Sequence, residues 1–133
     1  MYNSLKISSS LRWWFLAHFS VDYFFAIPLF LFPKETLALV GWGVVDPLAV
    51  RLVAAALFGI GGTSFVVRNS SPLVYKKILA LKIIWSSFAI AGIVFTALVD
   101  GISLVGWTIC LIFAFFLFIW IYYYLAVSEQ SKQ

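Results

Sequence analysis

The sequence predicts an all-α membrane protein: an antiparallel bundle of four transmembrane helices, with a short interfacial helix in the first loop. Of its 133 residues, 64% are hydrophobic and only 11% are charged, whereas roughly a quarter of the residues of soluble domains are charged. Four apolar stretches also reach the ~20 residues that a helix needs to cross ~30 Å of hydrocarbon. Their continuous rather than alternating hydrophobicity argues against a β-barrel. The predicted spans are 13–32, 48–67, 78–98 and 104–126.

The first span is too long for the apolar core of a signal peptide, and no small-x-small cleavage site follows it, so we expect it to be retained. Pro33 is expected to end this helix. Residues 36–40 are predicted to form an interfacial turn, with Trp42 among the lipid headgroups. Asp46 followed by Pro47 is typical of a helix start, with an acid at the N-cap and proline at the first helical position.

The later connections are short, which makes successive helices antiparallel neighbours. The connection between the third and fourth spans is little more than "VDG", residues 99–101. We find neither an internal repeat nor a second domain, so residues 1–133 are predicted to form a single transmembrane domain. Cys110 has no second cysteine to pair with, which excludes a disulfide within the chain.

The distribution of basic residues predicts the orientation in the membrane. Six of them flank the predicted inner ends of the helices, whereas Lys34 faces the other side together with three acids. The positive-inside rule therefore places both termini in the cytoplasm. We attribute the net charge of +4 to basic residues that set the membrane orientation and contact anionic lipid, and not to nucleic-acid binding. The six residues are Lys6, Arg12, Arg68, Lys76, Lys77 and Lys132.

Small residues recur at helical spacing on two of the spans and predict close helix packing, which in lipid depends on dispersion rather than on the hydrophobic effect. The "GIGG" at 59–62 follows no strand, so helix packing is a better interpretation than a nucleotide-binding loop. The predicted packing residues are Ala55, Gly59 and Gly62 on the second span, and Gly106, Cys110 and Ala114 on the fourth.

Five polar residues lie within the spans and form the candidate binding or ion-pair site. His18 and Asp22 are four residues apart and share one helix face, as do Lys82 and Ser86. Arg51 lies one turn inside the second span. A lone charge at the centre of a membrane helix costs about 2.5–3.5 kcal/mol, so each charged group needs a partner, water or a route to the interface.

Asp22 lies too deep, about 15 Å from the start of the span, for its short side chain to reach water. We slightly favour Arg51 as its partner and keep Lys82 as the alternative, although both cations are also long enough to snorkel. His18 is interpreted as a hydrogen-bonded interior residue. We predict no catalytic set, no metal site and no cofactor, because one histidine, one cysteine and acids at different depths do not supply four ligands.

The first half of the chain resembles the DoxX-like group of small bacterial four-helix inner-membrane proteins. The resemblance rests on "LFLFP", on "KETLALVGWG" and on "DPLAVRLVAAALFGIGG", with Arg51 early in the second span. It implies a four-helix bundle in a bacterial inner membrane and no particular activity. Asp22 also matches, in position only, the first-helix acid of small multidrug resistance transporters, which use glutamate.

Three functions fit these features. We favour a non-enzymatic bundle that self-associates or serves as an accessory subunit of a larger membrane complex. The first alternative is a proton-coupled carrier of a hydrophobic or cationic small molecule, in which Asp22 exchanges proton and substrate. The second is an intramembrane enzyme that acts on a lipid or quinone, with His18 and Asp22 as acid and base.

Overall fold

The computed structural model describes residues 7–130, apart from the side chains of 129 and 130. All the regular elements in this part of the chain are helices. Within it, four helices are long and apolar enough to cross a membrane, and a short fifth helix lies in the first connection. The predicted fold class is therefore confirmed. Lys6 and Lys132, which entered the prediction of orientation, lie outside the described residues. The helices are α1 (Ser9–Leu31), α2 (Pro33–Leu39), α3 (Pro47–Val66), α4 (Pro72–Val99) and α5 (Leu104–Gln130).

Three of the long helices extend beyond their predicted bounds. α1 begins four residues early because the Ser8 hydroxyl accepts a hydrogen bond from the Leu11 amide, 3.2 Å away, and so caps the helix. α4 begins six residues early, with Pro72 in the first turn. α5 continues to Gln130. The predicted bounds follow the apolar residues, which cover only the part of a helix inside the hydrocarbon core. The helix itself continues into the membrane interface until a capping residue ends it.

The first connection follows the prediction closely. α1 ends before Pro33, which begins α2. α2 ends in a Schellman motif, in which the Trp42 amide donates to the Leu37 carbonyl at 2.9 Å and Gly41 takes a φ of 74°. The Asp46 carboxylate accepts from the Leu48 amide at 2.9 Å, so the predicted N-cap of α3 is confirmed.

The chain divides into two compact units, and Ser8–Ser70 forms one of them. In this unit α1 and α3 run antiparallel, because the beginning of α3 meets the end of α1 and its end meets the middle of α1. Arg51 contacts Phe30, and the ring of Phe65 lies 5.1 Å from that of Phe19. After α3, a 3-10 turn at Val67–Asn69 leads out of the unit.

The second unit contains α4 and α5, joined by the short connection at Asp100 and Gly101. These helices are also antiparallel: Lys76 lies over Tyr124 and Lys82 lies over Trp120. The prediction that successive helices pair antiparallel is thus confirmed within each unit. The prediction of a single domain over residues 1–133 stays a prediction.

Each long helix buries a narrow stripe and leaves most of its apolar surface exposed. On α1 the stripe contains His18 and Asp22, and on α4 it contains Lys82 and Ser86. Large side chains such as Phe88, Leu111 and Phe118 are exposed on the remaining faces. Such surface is stable when lipid rather than water surrounds it. The polar residues therefore occupy the positions that protein atoms cover.

Candidate functional site

His18 and Asp22 form a close pair on the buried stripe of α1. The Nδ1 atom of His18 lies 2.9 Å from Oδ2 of Asp22, and each side chain is 7% exposed. This spacing is one turn of helix, so the predicted sharing of one face is confirmed. Oδ2 accepts no hydrogen bond of good geometry from the described residues, so its approach to His18 is an electrostatic contact rather than an aligned hydrogen bond.

Asp22 also packs directly against the backbone of α3. A Cβ atom built on Gly61 would lie 2.6 Å from the Cβ of Asp22 and 2.9 Å from its Oδ2. Real Cβ atoms do not approach so closely, so only glycine fits opposite Asp22 with this helix separation. The next glycine repeats the relationship, because a Cβ on Gly62 would lie 2.9 Å from the Tyr23 hydroxyl.

Aromatic rings flank the Asp22–Gly61 contact along the same two helices. The ring centroid of Tyr23 lies 4.4 Å from that of Phe19 and 5.0 Å from that of Phe58. Tilted and edge-on arrangements at such distances are favourable for aromatic pairs. The Asp22 carboxyl group thus lies between His18 and the backbone of Gly61, and the aromatic rings pack the same helix pair beside this contact.

Arg51 does not pair with Asp22, and the favoured partnership is wrong. Its Nε donates to the Phe30 carbonyl at 3.1 Å, at the C-terminal end of α1. Phe30 is eight residues beyond Asp22, which places that carbonyl about 12 Å further along the helix. A cation at this end is favoured, because the last carbonyls of α1 carry partial negative charge. Arg51 thus joins the start of α3 to the end of α1.

Lys82 is fully buried, so the interpretation that it snorkels to the interface is wrong. Its ammonium lies 4.9 Å from the ring centroid of Trp120, within the range of a cation–π interaction. The ring of Phe116 also stacks on Trp120, with ring centroids 5.6 Å apart and planes inclined by 16°. Ser86, one turn further along α4, is also buried. Pairing of Lys82 with Asp22 stays a prediction.

Trp120 is the residue at this site that the sequence reasoning missed. The short connection between α4 and α5 could have predicted that Trp120 lies at the depth of Lys82. Lys82 and Trp120 are each 19 residues from Gly101, and two antiparallel helices of equal rise bring such positions to the same depth.

Some of the predicted packing residues are buried within the chain and others lie on its exposed surface, where their role in packing stays a prediction. Ala55 and Gly59 are exposed, and a Cβ on Gly59 would meet nothing within 4 Å in the described part of the chain. Gly62 does contact Tyr23 of α1.

On α5, Gly106 and Cys110 are buried, whereas Ala114 is exposed. The buried positions of α3 are Ala54, Gly61 and Ser64.

Among the described residues, no group of three or more histidine, cysteine, aspartate or glutamate side chains lies close enough to hold a metal ion. Comparisons of the chain with protein-family models, with curated proteins and with solved structures found no match.

Proposed function

We propose that this chain is a non-enzymatic helical bundle of the bacterial inner membrane, which self-associates or serves as an accessory subunit of a larger complex. Four long apolar helices make it a multi-pass membrane protein. In this proposal, the polar residues inside those helices serve to fix the packing of one helix against another.

One observation carries the proposal: in each unit a buried ionisable side chain lies directly against the neighbouring helix of the same pair. Asp22 is held against His18 and the backbone of Gly61, and Lys82 is held against Trp120. A carrier needs its carboxylate open to water and to substrate in turn, whereas a packing group is stabilised by enclosure. As whole residues, Asp22 is 6% exposed and Lys82 is 0% exposed.

The location and orientation belong to the same proposal. Arg68, Lys76 and Lys77 lie in or beside the connection between α3 and α4, and Arg12 lies at the start of α1. Their concentration supports a cytoplasmic position for that connection and for both termini. The DoxX-like layout, including Arg51 early in α3, supports a bacterial inner membrane.

Replacing Asp22 by asparagine tests the proposal, because the side-chain volume is kept while the charge is lost. For a packing role we expect a loss of about 1–3 kcal/mol of unfolding free energy in detergent or bicelles. Asp100→Asn is the matched control, since Asp100 is exposed at the end of α4 and should change stability by less than about 0.5 kcal/mol.

A transport assay on the same variants separates packing from proton-coupled transport. That Oδ2 of Asp22 accepts no well-aligned hydrogen bond from the described residues is the observation that keeps the transporter as a second candidate. In proteoliposomes with a proton gradient, the packing role predicts no Asp22-dependent uptake across a panel of organic cations. Gradient-driven uptake that Asp22→Asn abolishes, with unchanged stability, would overturn the proposal in favour of transport.

A further inference from the structure

A continuous row of aromatic rings runs along one side of the α1–α3 pair, and we call it the aromatic ladder. Successive ring centroids are separated by 5.9, 5.0, 4.4 and 5.1 Å. The two end rings, Phe30 and Phe65, are 43% and 41% exposed, so the ladder is accessible from outside the helix pair. In order, its members are Phe30, Phe58, Tyr23, Phe19 and Phe65.

The half of the ladder nearest Arg12 lies within one leaflet of a bilayer. Phe19 lies seven residues after Arg12 on α1, which corresponds to about 10 Å along the helix, and half of the ~30 Å hydrocarbon core is ~15 Å. An acyl chain that starts at the Arg12 end and lies parallel to α1 would therefore contact Phe65, Phe19 and Tyr23. Phe58 and Phe30 lie further along, towards the Arg51 end of the pair.

Positive charge is concentrated at one end of the ladder. The guanidinium carbon of Arg68 lies 3.9 Å from the ring centroid of Phe65, and Nη1 donates to the Phe65 carbonyl at 2.7 Å. Arg12 lies towards the same end of the unit, because Phe65 lies beside Phe19 and Arg12 precedes Phe19 by about two turns of α1; Arg12 is exposed. Segments 8–16 and 64–70 contain no acidic residue.

The opposite end of the same unit has a different charge balance. There Lys34 is accompanied by Glu35 and Asp46, and the Arg51 side chain caps the end of α1. An anionic headgroup is therefore favoured at the Arg12–Arg68 end and not at the Lys34 end. Arginine suits a phosphate particularly well, because its planar fork matches the phosphate oxygens.

We infer that the α1–α3 pair binds one anionic phospholipid, with its phosphate at Arg12 and Arg68 and an acyl chain along the near part of the aromatic ladder, formed by Phe65, Phe19 and Tyr23. It combines positive charge at the interface with a row of aromatic rings that leads from there into the hydrocarbon core, both on the same two helices. It is independent of the proposed accessory role, because either a packing protein or a carrier can hold such a lipid.

Native mass spectrometry of the full-length protein tests the inference. The detergent-purified protein is titrated with phosphatidylglycerol or phosphatidylcholine carrying identical acyl chains. We expect one phosphatidylglycerol to be retained at least five-fold more tightly than phosphatidylcholine. A juxtamembrane basic residue changes affinity for anionic lipid by roughly five-fold, so Arg12→Gln with Arg68→Gln should remove the preference.

Two further variants separate the lipid site from general surface charge. Lys34→Gln removes a cation from the opposite end and should leave phosphatidylglycerol retention within two-fold. Phe65→Ala shortens the ladder at an exposed ring and should weaken retention of both lipids, with circular dichroism used to verify the helical fold. Equal retention of the two lipids, or an equal loss in Lys34→Gln and in the arginine variant, would overturn the inference.

Discussion

Asp22 of α1 faces Gly61 of α3 so closely that a Cβ atom on Gly61 would lie 2.6 Å from the Cβ of Asp22 and 3.2 Å from its carboxyl carbon. The contact between Asp22 and Gly61 thus sets the distance between α1 and α3 at this depth. The side chain of Asp22 is short, and the absence of a side chain at Gly61 gives it space.

Replacing Gly61 by alanine is expected to destabilise the protein by about 1–3 kcal/mol, because the added methyl group forces the helices apart at Asp22. Gly59→Ala on the same helix is the matched control, since a Cβ there meets nothing within 4 Å. The control should be neutral or more stable by up to about 1 kcal/mol, because alanine is the better helix former. Both are measured by reversible unfolding in the same bicelles. Equal destabilisation of the two variants would contradict this account of the contact.

Trp120→Leu should destabilise the α4–α5 pair by about 1–3 kcal/mol, through the loss of packing contacts of a large buried side chain and the cavity that remains. Trp107→Leu is the control, because Trp107 is 46% exposed, and we expect less than about 1 kcal/mol there.

The cation–π part of that loss is isolated by a double-mutant cycle with Lys82→Met. The coupling between Lys82 and Trp120 should be about 0.5–2 kcal/mol and stabilising, as for a desolvated ammonium over an indole ring. Unfolding of the four proteins of the cycle provides the measurement. A coupling indistinguishable from zero would show that the two side chains act only through their volumes.

Arg51→Met should cost about 1–3 kcal/mol, because the hydrogen bond from its charged side chain to the Phe30 carbonyl is lost. The variant should also be additive with Asp22→Asn to within about 0.5 kcal/mol, since the two residues have different partners on α1. A stabilising coupling well above that value would support the ion pair between Asp22 and Arg51 that the sequence suggested and the structure does not contain.

The orientation is tested by single-cysteine labelling in a Cys110→Ala background. Ser71 and Ser103 are both exposed, at the starts of α4 and α5 respectively. We expect Ser103→Cys to react with a membrane-impermeant maleimide in intact spheroplasts, and Ser71→Cys to react only after lysis, as the positive-inside rule requires. The opposite pattern would place both termini outside.

Local signals in the sequence predicted the helices well. The N-cap at Asp46 and the stop at Pro33 depend on residues within one turn, so the chain needs no tertiary contact to express them. The pairing of His18 with Asp22 is equally local, because a single turn of helix brings them to 2.9 Å.

Contacts between helices were predicted less well, since they depend on how far each helix is rotated about its own axis. The small-residue pattern on α3 suggested the face of Ala55 and Gly59, whereas the buried face contains Ala54 and Gly61. Adjacent residues on a helix differ by about 100° in direction, so an offset of one position changes which side chains meet the neighbouring helix.

The sequence by itself determined that this is a multi-pass helical membrane protein with ionisable side chains inside its spans, because length, apolarity and helix capping are properties of the chain read locally. Only the tertiary structure decided the partners of those side chains: Gly61 for Asp22, the Phe30 carbonyl for Arg51 and Trp120 for Lys82. The physical reason is that partners on different helices are selected by helix rotation and relative axial position. Both follow from the packing of many side chains at once, and no single short segment encodes them.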